Sequence, residues 1–169
     1  MTRPFPEPTD HRSSRAEVFL GYLDYFRSIV LSKLEGLTED ELRNSRLPSG
    51  WTPIALLKHL TYVELRWLVW GFEGTAVMEP WGDAREGRWY VSTDESLPQL
   101  VQALHVQAAL TRSVVDAHQL SDVGQPGERW RGADPPTLER ILFHLLQEYA
   151  RHVGHLDIVR ELVDGEVGE

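Results

Sequence analysis

The chain has 169 residues with 41% hydrophobic and 25% charged side chains, a balance expected of one globular domain rather than a disordered or membrane-embedded chain. It contains no run of eighteen apolar residues and no signal-peptide core in its first ten residues, and its net charge of −9 without a basic stripe argues against nucleic acid as a partner. With no cysteine, disulfides, thiolate metal sites and a cysteine nucleophile are excluded: any metal must be held by nitrogen and oxygen, and any thiol must arrive from outside.

Residues 1–12 carry three prolines and no periodicity, and are expected to be a flexible arm ahead of a single domain spanning 13–169. The first helical pattern runs from about Ser14 to Glu35, with Val18, Tyr22, Tyr25, Phe26, Ile29, Val30 and Leu34 on one broad face, and Gly36 stops it. Thr38 and Glu41 have capping-box spacing, so a short helix is expected before the Pro48-Ser49-Gly50 turn. Thr52 and Pro53 open a second long helix that continues to about Gly71. A loop of roughly twenty residues follows, a length that marks a functional or mobile segment. Its only strand candidate is Arg88–Val91. A third long helix is expected from near Ser96 to about Gln119, and a fourth from the Thr137 cap to about Val163, before Gly165. Four such helices predict an all-α, antiparallel four-helix bundle with a long loop after the second long helix. In that architecture sites are built from side chains on facing helices.

The seven histidines sort by helical geometry. On the last helix the apolar stripe is Leu138, Ile141, Leu145, Tyr149, Leu156 and Val159, with His152 at its centre, Glu148 one turn earlier about 40° to the side, and His144 and His155 further round. A carboxylate and an imidazole four residues apart project together and can share a metal. His59, on the second long helix, shares a face with Leu56, Val63, Trp67 and Trp70. Two histidines and a glutamate converging on one cation would relieve the cost of burying all three, and such a set leaves a fourth position open in catalytic zinc sites. Taken singly these signals are unspecific. A lone histidine on an apolar face is more often a hydrogen-bonded core residue, and Glu-x-x-x-His recurs by accident. His105 and His118 read as surface residues. His155 either orients a ligand or bound water or pairs with a nearby acid on the surface. Trp70, Trp81 and Trp89, in or beside the long loop, read as packing in preference to a pocket wall.

The stretches GWTPIALLKHLTYVELRW around His59 and LERILFHLLQEYARHVGHLDIVREL around His152, in this order with a long loop and a further helix between them, resemble the DinB/YfiT-like superfamily of metal-binding four-helix bundles. More narrowly, they resemble its mini-circle protein branch, over about Arg15 to Asp164. The resemblance implies a metal held by one histidine of the second long helix and two residues four apart on the last, which here are His59, Glu148 and His152. Many members have histidine at the position of Glu148; the His-Glu-His set is similar to that of the mycothiol-dependent maleylpyruvate isomerases. A carboxylate in that place makes the cation a milder Lewis acid.

The resemblance further implies a divalent cofactor, zinc ahead of nickel or iron, and a thiol S-transferase using a low-molecular-weight thiol of the mycothiol type with a small-molecule electrophile. His155 is the candidate catalytic group, an auxiliary base. The expected setting is cytoplasmic, with no nucleic-acid or membrane partner and a homodimer as the expected assembly. Three other functions are compatible with the same residues: a non-catalytic, metal-stabilised helical dimer, a metal-dependent hydrolase, and an iron oxygenase built on two histidines and a carboxylate.

Overall fold

A computed structural model describes residues 4–168, so Met1 to Arg3 of the expected arm, and Glu169, lie outside it. The described residues are mostly helical, with one two-stranded hairpin and an isolated antiparallel bridge between Val123 and Thr137. The elements are α1 (Arg15–Leu34), α2 (Glu39–Arg43), α3 (Pro53–Glu64) with a π-helical extension (Leu65–Phe72), β1 (Ala84–Arg85), β2 (Arg88–Trp89), α4 (Leu97–Ala117), a 3-10 turn (Glu128–Trp130) and α5 (Leu138–Asp164). Among the described residues, no helix is long and apolar enough to cross a membrane.

The helix ends follow the capping chemistry read from the sequence. Ser14, Thr38, Thr52 and Thr137 each accept a bond from a backbone N–H in the first turn of α1, α2, α3 and α5, and Thr38 and Glu41 form the reciprocal capping box. Gly165 closes α5 in the left-handed conformation, with its N–H bonded to the Glu161 carbonyl. Helix α1 lies along α5 and α3 along α4, while α3 also meets α5 and α1 meets α4. Leu23, Leu56, Leu57, Leu60, Leu104, Leu142, Leu145 and Leu156 fill the space they enclose.

The expected stripe of α5 is buried throughout, His152 included. That of α1 is not where hydropathy puts it. The buried positions are Leu20, Leu23, Arg27, Val30 and Leu34, whereas Val18 is exposed and Tyr22, Tyr25, Phe26 and Ile29 are half-buried. The face is rotated because a charged residue belongs to it: Arg27 is buried against Glu64 of α3, with Nε 2.9 Å from Oε1 and a terminal nitrogen 2.7 Å from Oε2. Phe5, ahead of α1, packs edge-on against Tyr22 and Tyr25.

The second long helix also departs from expectation, since its last two turns, Leu65–Phe72, are π-helical. The widened backbone brings Gly71 against Trp130, where a Cβ would lie 2.9 Å from the indole Cζ2 and 3.0 Å from the Arg66 carbonyl. Gly71→Ala is therefore expected to lower stability by about 1–3 kcal/mol through overpacking. Gly154→Ala, on the open face of α5 with nothing within 4 Å, should raise it by about 0.5–1 kcal/mol. Opposite shifts in melting temperature check the pair.

Candidate metal centre

His59 projects from α3 toward α5, which presents Glu148 and His152 one turn apart. Each of the three offers one ligand atom, and those atoms lie within 4.8 Å of one another. His152 Nε2 is 3.2 Å from Glu148 Oε2, and the two imidazoles meet edge to face at a centroid distance of 5.2 Å. The geometry thus brings together the three residues that the helical pattern and the family resemblance single out.

A group from outside the helices orients His59. The loop after the π-helical extension carries Asp83 into the interior, where Oδ2 lies 2.9 Å from His59 Nδ1. Arg66 clamps the same carboxylate, one guanidinium nitrogen 2.6 Å from Oδ1 and the other 3.1 Å from Oδ2, and also donates to the Pro80 carbonyl. Burial pushes the Asp83 carboxyl up, but hydrogen bonds from His59 and Arg66 outweigh it and hold the group below its ordinary value. An ionised carboxylate facing Nδ1 keeps a proton on that nitrogen, so Nε2 retains its lone pair. This pairing of carboxylate and histidine recurs behind metal ligands.

Glu148 is ionised as well. The hydrogen bond from His152, helped by the nearby histidines, outweighs burial and lowers its pKa. Its second oxygen, Oε1, lies 3.4 Å from His144 Nε2, and the His144 ring packs on Trp67 at 4.4 Å. On the other side of His152, Nδ1 lies 3.2 Å from His155 Nδ1. Burial, followed by the neighbouring His152, lowers the pKa of His155, which stands beside Trp51.

The hairpin supplies the roof. Glu86 and Gly87, both at positive φ, make the two-residue connection that pairs β1 with β2. The pairing extends the expected strand segment at Arg88-Trp89 with a partner strand that no hydrophobic alternation announces. Trp89 then stacks on His59 at 4.3 Å and 22°, and its edge meets His152. Trp89 thus packs against the core, as expected, and also lines the cleft; Trp81 instead covers the Arg66 guanidinium at 4.4 Å. A cleft of about 350 Å3, lined by Ser49, Trp51, Trp89, Glu148, Arg151, His152 and His155, opens onto the centre. His105 and His118 are exposed and outside it, His118 beside Glu73 and Asp122.

Sequence reasoning missed Asp83, Arg66 and Trp51. Asp83 lies in a loop with no periodicity to place it, and the loop's unusual length was the available signal; Arg66, on the helical extension, and Trp51, ahead of the Thr52 cap, carry no such signal.

Fold and site together define an all-α protein whose helices present a His-Glu-His group able to hold a metal ion. The family model of mycothiol-S-transferase matches residues 18–165, and the chain belongs to that family, a DinB/YfiT-like one. No curated protein matches it.

Proposed function

We propose that this protein is a divalent-metal-dependent S-transferase that joins a mycothiol-type thiol to a small electrophile, with His59, Glu148 and His152 as metal ligands in an antiparallel four-helix bundle. The convergence of three donors within 4.8 Å, in a chain of the mycothiol-S-transferase family, carries this reading. The donors suit the group: two imidazoles and one ionised carboxylate match the nitrogen and oxygen ligation of zinc, and three protein ligands leave room for a substrate. Asp83, behind His59, supplies the partner such a histidine needs.

When bound there, a divalent cation supplies Lewis acidity that favours the thiolate near neutral pH. The protein's own groups do the rest. Asp83 fixes the His59 proton on Nδ1. With its Nε2 lone pair given to the cation, His152 would carry its proton on Nδ1, which lies 3.2 Å from His155 Nδ1, and would donate it there. That bond would leave His155 protonated on Nε2, so in the metal-loaded site it is a donor in the cleft before it is a base. Its role is to hydrogen-bond the electrophile, or to protonate the leaving group as sulfur bonds to carbon and the displaced group departs with its electron pair. Trp51 and Trp89 give the cleft apolar walls against which a substrate can pack.

Protein purified without chelator or metal-affinity resin should contain about one divalent ion per chain by elemental analysis. It should consume mycothiol with an electrophile, lose that activity on chelation and regain it with zinc. Metal-free protein that transfers the thiol equally well would overturn the assignment.

A further inference from the structure

On the far side of Glu148 from the cleft stands a cation with no carboxylate. Arg129, in the 3-10 turn, lies with its guanidinium carbon 4.5 Å from the ring centre of Trp67, 5.5 Å from Trp130 and 5.9 Å from Trp70. No hydrogen bond or ion pair holds it among the described residues, and its Nε is buried without a partner. Arg129 is half-buried, and the three arginines buried more deeply all have oxygen partners: Arg27 has Glu64 and Asp24, Arg66 has Asp83, and Arg160, whose Nε is also unpaired, has Asp164, Glu166 and two carbonyls at the end of α1. In a chain with nine more acids than bases, leaving Arg129 without an acid is a specific arrangement.

The surroundings make that charge costly. Burial, then the charges of Arg66 and Arg131, lower the pKa of Arg129, and the backbone holds Arg131 at a left-handed φ of 51° directly after the turn. Aromatic faces attract a guanidinium but offer no acceptor for its N–H groups. An oxyanion would satisfy both the charge and the unused donors, and a carboxylate matches the planar fork. The position matters as well. Trp67, which Arg129 covers, packs on His144, and His144 Nε2 is 3.4 Å from Glu148 Oε1, so Arg129 is linked to the ligand set through two side chains.

We propose that Arg129, on its tryptophan platform, is the docking point for a carboxylate of the electrophilic substrate, which approaches from the His144 side while the thiol occupies the cleft beside His155. The binding of a carboxylate at Arg129 is new to the site. Its link to transfer rests on the S-transferase reading above.

The test reads binding alone, so it stands apart from transfer activity. Full-length protein, as purified and after chelation, is titrated with succinate and with uncharged succinamide, followed by calorimetry and tryptophan fluorescence. Chelated protein is essential because a carboxylate would also ligate a bound cation. Saturable succinate binding to the chelated protein, no response to succinamide, and a loss of about tenfold or more in Arg129→Gln are expected. If Arg129→Gln does not fold by circular dichroism, Arg129→Lys takes its place. That variant keeps the charge without the fork and should bind several-fold more weakly than the wild type. Absence of saturable binding, equal binding of succinamide, or unchanged affinity in the folded variant would overturn the assignment. If the carboxylate binds as expected but no thiol transfer is found, the docking site stands and the S-transferase reading fails.

Discussion

Glu64→Ala is expected to cost about 3–5 kcal/mol of folding free energy, a large share of the roughly 5–15 kcal/mol that holds a domain of this size together. Glu64 is fully buried and receives a bond from each of the other long helices: Arg27 of α1, Thr111 of α4 at 2.5 Å and Tyr149 of α5 at 2.5 Å. Burial opposes the Arg27 charge, yet its neighbours, Glu64 foremost with Asp24, together outweigh it and raise the arginine's pKa, so the guanidinium keeps its proton. Burial likewise pushes the Tyr149 hydroxyl well up, and it remains a neutral donor. Removing the carboxylate strands a charge and two hydroxyls in the core at once.

The four residues should behave as a unit. Replacing Arg27 and Glu64 together with leucine removes the stranded charge but still leaves the Thr111 and Tyr149 hydroxyls without an acceptor, at about 1–3 kcal/mol each. Adding Thr111→Val and Tyr149→Phe removes those orphans, and the fourfold variant should recover most of the stability lost by Glu64→Ala. Denaturant midpoints measure the series. A single Glu64→Ala variant within about 0.5 kcal/mol of wild type would show that the cluster is not under the load its burial implies.

This cluster also shows where the sequence was legible. The stripe of α5 and the caps of α1, α2, α3 and α5 follow from local chemistry, because each is decided by residues three or four apart. His152 and Glu148 were readable for the same reason, and His59 for its place among Leu56 and Val63. The α1 face was displaced because hydropathy assigns an arginine to water. The distant Glu64, 37 residues on, is the buried partner that makes Arg27 a core residue. The π-helical turns of Leu65–Phe72 were hidden for another reason. A run as apolar as LRWLVWGF satisfies several helical periods, and the close approach of Trp130 to Gly71 within it joins segments far apart in sequence. Asp83 depends on a loop path that no periodicity records.

That loop contact sets up a graded loss of metal affinity, with His59→Ala at one end. Removing one of the three proposed ligands should abolish stoichiometric metal, as should His152→Ala. Asp83→Asn removes no ligand and should still weaken binding about 10–100-fold. An asparagine amide turned toward His59 would donate to Nδ1, moving the ring proton to Nε2 and blocking the lone pair that faces Glu148 and His152. It would also leave Arg66, only 5% exposed, with a neutral partner, so some fall in melting temperature should accompany the effect. His155→Ala removes only a neutral acceptor from His152 Nδ1, and its effect should be smaller than that of Asp83→Asn. Competition with a chromophoric chelator ranks the variants on one scale. Equal affinity in Asp83→Asn and wild type would mean that His59 is oriented by something other than this carboxylate, or is not a ligand. In either case, the Asp83 contact would lose its function, and the His59 ring would be held by Trp89, stacked on it, and by the edge of His152.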